Sequence, residues 1–240
     1  MNLGWIIALS LVGVGAVCLL YGFFIEPLWI KTRTIDIDVA PDLPYAGMTI
    51  VYFSDIHVGK TSKRRLDRQI ETLRRARGDA ILFGGDLVEE FTPIDDTAFT
   101  RRIVEALSSL EASHGKWAVY GNHELEAPRF ARWATEVLTA SGFTMLRNEG
   151  TVLNGLPVWG LTSSLHDDLA FPPEPEAAPL TLLLAHEPEA VADDLPIEGR
   201  TVVLSGHAHG GQVTLFGLPL MLPMGARRHW KRKSRLSPNH

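Results

Sequence analysis

The apolar pattern divides the chain into one long N-terminal stretch and a series of short runs. Residues Leu3 to Ile25 carry no charged side chain, whereas the apolar runs after residue 47 are short and end at Gly, Ser or a polar residue. At about 1.5 Å per residue, a helix over the first stretch is long enough to cross a bilayer. Short apolar runs bounded by turn residues are typical of buried strands. The pattern predicts one transmembrane helix followed by an α/β domain.

The predicted anchor covers residues 1–30. A cleaved signal peptide is disfavoured because Met1 and Asn2 supply no basic side chain and the sequence around Cys18 is a poor cleavage site. A buried core helix is the other alternative. Lys31 and Arg33 follow the stretch, which favours a cytoplasmic location for the rest of the chain.

Strand and helix patterns alternate through the first half of the remaining chain. Apolar runs predict strands at Met48–Phe53, Ala80–Phe83 and Trp117–Tyr120. Apolar residues at helical spacing predict helices at Thr61–Arg77, at Thr97–Ala112 and from Pro128 to Gly142. Helix-linked strands of this kind are typical of a layered α/β domain.

The pattern changes after residue 150. Asn154-Gly155, between two apolar runs, is a strong signal for a hairpin turn. Leu182–Leu184 and Val202–Leu204 are two more predicted strands. We therefore expect hairpin-linked strands in this half. The proposed divisions are a linker at 31–47, a main domain at 48–225 and a basic tail at 226–240.

Composition restricts the possible partners. The formal net charge of -5 gives no general attraction to nucleic acid, and no nucleic-acid partner is expected. A single cysteine excludes disulfides and Cys-type metal clusters within one chain.

Five of the apolar runs end in side chains that bind metals. These are Asp55-Ile56-His57, Gly85-Asp86, Gly121-Asn122-His123-Glu124, His186-Glu187 and Gly206-His207-Ala208-His209. Strands ending at turns deliver such residues to one edge of a sheet. Imidazole, carboxylate and carboxamide ligands without thiolates suit Mn best, with Fe or Zn as alternatives.

Taken in order, these motifs resemble the pattern D-x-H, G-D, G-N-H-[DE], H, G-H-x-H of the calcineurin-like metallophosphoesterase superfamily, over about residues 49 to 212. The resemblance implies a two-sheet β-sandwich flanked by helices in four layers, with the ligands on loops at one edge. It also implies two divalent metal ions: one held by Asp55, His57 and His209, the other by Asn122, His186 and His207, with Asp86 bridging.

The same resemblance implies a role for His123 as the catalytic residue that contacts the substrate phosphate and assists the leaving oxygen. The positive charge of two divalent ions exceeds the negative charge of two carboxylates. The site would therefore keep a net positive charge and attract a phosphate anion. A hydroxide that bridges the ions could attack phosphorus directly.

The helix predicted at Thr61–Arg77 is rich in basic residues. Such a run is often a solvated face. The alternative is docking on anionic lipid headgroups or on a substrate diphosphate, for which the candidate substrate-binding residues are Arg64, Arg65 and Arg68.

Gly210-Gly211-Gln212 after the last motif resembles a membrane-anchored bacterial branch that includes phosphodiesterases and UDP-2,3-diacylglucosamine pyrophosphatases. The expected substrate is therefore a lipid-linked phosphodiester or pyrophosphate at the bacterial inner membrane, with membrane lipids as partners. Alternatives are a non-catalytic scaffold of the same fold, or a phosphodiesterase for soluble nucleotides or nucleic acid. Residues 85–90 lack the G-D-x-x-D-R-G pattern of protein phosphatases.

The resembled proteins continue with further strands, whereas residues 227–233 form a basic run without strand patterning. The C-terminal part of the second sheet could therefore be missing. The oligomeric state is not predicted.

Overall fold

The computed structural model describes residues 2–25, 28, 30–171, 178–191, 200–209, 213–215 and 218–221. The helices are α1 Leu3–Phe24, α2 Lys63–Ala76, α3 Thr97–Ser108, α4 Asn122–Leu125 and α5 Pro128–Ala140. The strands are β1 Ile50–Phe53, β2 Ala80–Phe83, β3 Lys116–Ala118, β4 Phe143–Met145, β5 Glu149–Leu153, β6 Leu156–Gly160, β7 Thr181–Leu184, β8 Thr201–Leu204, β9 Val213–Leu215 and β10 Leu218–Met221.

The first sheet is entirely parallel, in the order β1-β2-β3-β4. All four residues of β2 are buried, as expected for a central strand covered on both faces. Helices α2, α3 and α5 provide the crossover connections. The strand, helix, strand prediction is therefore confirmed, although β4 was not predicted.

Local signals set the helix ends. The Ser62 side chain accepts a hydrogen bond from the backbone N–H of Arg65 and caps α2, which ends at Arg77 in the left-handed region with φ of 48°. Helix α3 ends four residues before the predicted Ala112, because Ser109 ends the helical hydrogen bonding. Pro128 begins α5, as predicted.

The second sheet has the order β5-β6-β7-β8. Its first pair is the predicted hairpin, with Asn154 and Gly155 both at positive φ (46° and 83°) as a type I′ turn requires. The expectation of hairpin-linked strands was wrong for β6, β7 and β8, which are parallel. Parallel neighbours require long crossover connections, and the apolar runs alone did not distinguish the two arrangements.

The two sheets pack face to face around one apolar cluster that includes Leu82, Val119, Leu153, Val158 and Leu182. A second cluster joins the other face of the first sheet to α2, α3 and α5. The fold is thus α/β, with two sheets and a helical layer. Among the described residues, the outer face of the second sheet is covered by loop residues such as Leu169 and Phe171. The fourth, helical layer stays a prediction.

Helix α1 is apolar all round, with a mean hydropathy of 2.4 over Leu3–Gly22, and none of that stretch is buried. By length and composition it could span a membrane, but a signal sequence or the core helix of a soluble protein has the same properties. Strands β9 and β10 form a separate antiparallel pair. Gly210–Gln212 and the basic tail at 226–240 lie outside the described residues, and the proposed domain boundaries stay predictions.

Candidate metal centre

The predicted donor residues follow β1, β2, β3, β7 and β8, with Asn122 at the start of α4 and the others on loops. Because the strands within each sheet run parallel at these positions, their carboxyl ends reach the same edge. Backbone hydrogen bonds continue between the first two loops, from Asp55 N to Gly85 O (2.9 Å) and from His57 N to Asp86 O (3.1 Å). The loops are therefore fixed relative to each other.

The structure brings all seven predicted donors together. Donor atoms of Asp55, His57, Asp86 and His209 lie within 4.8 Å of one another, as do those of Asp86, His186 and His207. Asp86 belongs to both groups. Asn122 joins the second group, since its Oδ1 is 2.9 Å from Nδ1 of His207. The arrangement can hold two cations on either side of one carboxylate, and the ligand roles themselves stay a prediction.

The backbone at these donors is unusual. Five of them have positive φ between 46° and 59°: Asp55, His57, Asp86, His207 and His209. A non-glycine residue in this region costs about 1–3 kcal/mol, and such residues cluster at functional sites. The strain is concentrated where the side chains must converge.

The two aspartates give the site a negative potential. Burial alone raises the pKa of Asp55, but the hydrogen bond with His209 and the nearby imidazoles lower it to about 2. Burial likewise raises the pKa of Asp86, yet the hydrogen bond with His186 lowers it overall. Both carboxyl groups are therefore ionised at neutral pH.

The imidazoles respond to that potential. Burial lowers the pKa of His186, but the hydrogen bond and the charge of Asp86 raise it to about 10. The hydrogen bond with Asp55 raises the pKa of His209. For His57 burial prevails and lowers the pKa. Positive charge is thus stabilised between the carboxylates and the rings, where a divalent cation would lie.

The contacts of the imidazole rings are those expected of metal ligands. His186 Nδ1 is 2.7 Å from Gly84 O, so it donates to that carbonyl and turns Nε2 towards Asp86 Oδ2 at 3.1 Å. Nε2 of His57 and Nε2 of His209 face each other at 3.2 Å, so at least one of them presents a lone pair. Imidazoles oriented by a backbone carbonyl, with the other nitrogen facing shared acceptors, are typical of metal sites.

His123 lies at the border of this cluster. Its ring centroid is 5.3 Å from that of His57, edge to face, and its backbone N–H donates to Asp86 Oδ1. Nδ1 of His123 is 2.7 Å from Oε1 of Glu126, an ion-pair contact between side chains three residues apart. This position fits the predicted catalytic role, which stays a prediction. Glu126 was not recognised from the sequence.

Glu124 is the most important residue that sequence reasoning missed. Its carboxylate is 1% exposed and accepts four backbone hydrogen bonds, from Asp86 (2.9 Å), Leu87 (2.6 Å), Val88 (3.0 Å) and Gly121 (2.7 Å). Burial and the charge of Asp86 raise its pKa, against these hydrogen bonds. Glu124 therefore joins the Asp86 loop to the Asn122 loop. The G-N-H-[DE] motif contained the signal, although not its partners.

Two further buried acids support neighbouring loops. The Glu187 carboxylate, directly after His186, accepts hydrogen bonds from Ser163 Oγ (2.6 Å) and Ser164 N (2.9 Å) and so holds the loop after β6. Glu89 is fully buried and forms an ion pair with the exposed Lys60. Neither acid was assigned a role from the sequence.

The basic residues proposed to bind substrate lie away from the donor groups. Arg64, Arg65 and Arg68 are exposed on α2, and among the described contacts no side chain of the three reaches the donor groups. Their role in substrate binding stays a prediction.

Fold and site together define a class of protein. Residues 48–211 match the calcineurin-like phosphoesterase family, and the chain belongs to that family. Membership indicates metal-dependent hydrolysis of phosphoesters.

Among individual proteins, the chain is similar to the uncharacterized metallophosphoesterase YkuE of Bacillus subtilis, with 31% identity over 85% of this chain and 73% of the relative. It is also similar to the phosphodiesterase YaeI of Escherichia coli, with 28% identity over 83% of this chain and 74% of the relative. An uncharacterized metallophosphoesterase of Helicobacter pylori is 29% identical over 73% of this chain, which spans about half of that relative (48%).

Proposed function

We propose that this protein is a two-metal phosphohydrolase that cleaves a phosphodiester or pyrophosphate bond. The observation that carries the proposal is that Asp86 lies in both donor groups. A carboxylate shared in this way is the arrangement that a pair of cations needs. Asp55, His57 and His209 would hold one ion, and Asn122, His186 and His207 the other.

Two bound divalent ions would supply an activated water and stabilise charge on the phosphate oxygens. Residues of the chain position the ligands and the catalytic histidine. The Gly84 carbonyl and Glu124 hold His186 and the Asp86 loop in place. Glu126 orients His123, whose Nε2 then donates a hydrogen bond to the leaving oxygen.

Similarity to a protein named phosphodiesterase supports a diester as the bond cleaved. The apolar α1 and the basic α2 support a substrate that is itself linked to a lipid. A nucleotide-linked acylated sugar such as UDP-2,3-diacylglucosamine satisfies the second condition and would be cleaved at its pyrophosphate bond, the alternative to a diester. Lys31 and Arg33 after α1 support an inner-membrane protein with the catalytic domain in the cytoplasm. Mn is the preferred metal, with Fe or Zn as alternatives.

The test uses the purified full chain in detergent, loaded with Mn and assayed with a chromogenic phosphodiester. We expect His123→Ala to lower turnover by about 100-fold or more while metal content is retained, because the general acid contributes roughly that much. The matched control is His114→Ala, which changes an exposed histidine outside the site.

Unchanged turnover in His123→Ala would refute its assignment. A wild-type protein that binds two ions but hydrolyses no phosphoester would instead be a scaffold. Incubation with bacterial lipids and nucleotide-linked lipids, followed by mass spectrometry, identifies the substrate, and cleavage of soluble diesters alone would exclude the lipid-linked proposal.

A further inference from the structure

A cleft lies between α2 and the segment that follows α1. Its volume is about 370 Å³, and its walls are formed by Arg68, Glu71, Thr72 and Arg75 of α2 and by Ile30 and Thr32 of the segment. None of these residues belongs to the candidate metal centre. The cleft is a separate feature of the molecule.

The cleft is positively charged. Arg75 Nε is 2.7 Å from Oε1 of Glu71, which compensates the charge of that acid. The side chain of Arg68 has no hydrogen bond or ion pair among the described residues. Two guanidinium groups therefore face one acid, and α2 as a whole is strongly basic, with Lys63, Arg64, Arg65, Arg68, Arg74 and Arg75 against Asp67 and Glu71. This contrasts with the net charge of -5 for the whole chain.

The position of the cleft indicates what occupies it. Ile30 is five residues beyond Ile25, where α1 is capped, and five residues of chain span at most about 18 Å. If α1 crosses a bilayer, the cleft lies near the headgroup layer. Guanidinium groups form paired hydrogen bonds with phosphate oxygens, and Ile30 supplies an apolar wall beside them.

We propose that this cleft binds the phosphate headgroup of an anionic phospholipid and so holds α2 against the membrane surface. The site is distinct from the metal centre, and it assigns Arg68 to a lipid headgroup and not to the substrate. The proposal rests on α1 lying in the membrane and does not depend on which phosphoester is hydrolysed.

The experiment measures lipid retention by native mass spectrometry on the full chain in detergent micelles, with phosphatidylglycerol and phosphatidylcholine as probes. We expect the wild type to retain phosphatidylglycerol preferentially, and Arg68→Gln with Arg75→Gln to weaken its binding about 10- to 30-fold, given the usual contribution of two basic residues near a surface. The matched control is Lys63→Gln with Arg77→Gln, which removes the same charge from the same stretch without changing the cleft.

The proposed site is supported if the control variant retains phosphatidylglycerol and the cleft variant loses it. Equal loss in both pairs would show a diffuse basic surface and overturn the proposal, as would equal binding of the two lipids. Displacement of phosphatidylglycerol by millimolar inorganic phosphate would show a site for free phosphate and would also overturn it. Because every substituted side chain is exposed, the variants should fold, and circular dichroism checks this.

Discussion

At the scale of single residues, one buried carboxylate organises the candidate metal centre without contacting a metal. Glu124 accepts backbone hydrogen bonds from both the Asp86 loop and Gly121. A carboxylate has only acceptors to offer, so it can satisfy several backbone N–H groups at once. Its position explains how two loops from different strands keep their side chains in register.

Replacing this acid by its amide tests that role. In Glu124→Gln, the amide NH2 would face backbone donors, leaving buried N–H groups without acceptors. We expect the free energy of unfolding to fall by about 1.5–3 kcal/mol and metal affinity to fall about 10- to 100-fold. Urea unfolding and metal titration measure the two effects. The control is Glu136→Gln, an exposed position on α5. Unchanged metal affinity would contradict the role of Glu124 in positioning the metal-binding loops.

The sequence predicted the donors better than the residues that support them. Asp55, His57 and the later donors follow recognisable strand ends, and the structure brings all of them together. The partners of Glu124 lie 36 to 38 residues away in sequence, apart from Gly121. Which loop a side chain reaches depends on strand order, and no local pattern encodes that order.

At the scale of elements, close approach of two loops requires glycine. Gly85 has φ of 95°, and a Cβ there would collide with the backbone of Gly121. A Cβ on Gly121 would in turn collide with the side chain and backbone of Asp86. The loops after β2 and β3 therefore touch at the carboxylate that both donor groups share.

A methyl group at this contact should separate the loops. We expect Gly121→Ala to destabilise the fold by about 1–3 kcal/mol, as overpacking does, and to weaken metal binding. Thermal unfolding with and without Mn measures both. Gly15→Ala is the matched control, because a Cβ there meets nothing within 4 Å. Full metal stabilisation in Gly121→Ala would contradict the close-contact account.

The sequence predicted helices and strands correctly where local signals were strong. It failed where the pairing of strands depends on the topology of the sheet. The Asn154-Gly155 hairpin and the α2 and α5 patterns were found from local residues alone. The short strand β4 has three residues, too few to show a period. The parallel pairing of β6, β7 and β8 depends on long connections that apolar runs do not reveal.

At the scale of the whole molecule, α1 stands apart from the domain. It is 22 residues long and exposes large apolar side chains all round, including Leu11 and Val14 at 68% and 62%. Together with the lipid cleft proposed on α2, it would place the metal centre close to a membrane surface.

Fractionation tests this placement. We expect the full chain to remain in membranes after alkaline carbonate extraction, and Leu11→Arg with Val14→Arg to release it, because each arginine near a helix centre costs about 2.5–3.5 kcal/mol on insertion scales. Leu11→Ile with Val14→Leu is the control. Recovery of the wild type in the soluble fraction, or a mature N-terminus beyond residue 25, would contradict a membrane-spanning α1.

The most direct test of the central claim is anomalous diffraction at the Mn edge from crystals of the full chain grown with Mn. The account predicts two peaks about 3.5–4 Å apart, with the Asp86 carboxylate between them and the two donor groups on either side. A single peak, or two peaks of which neither contacts Asp86, would contradict it.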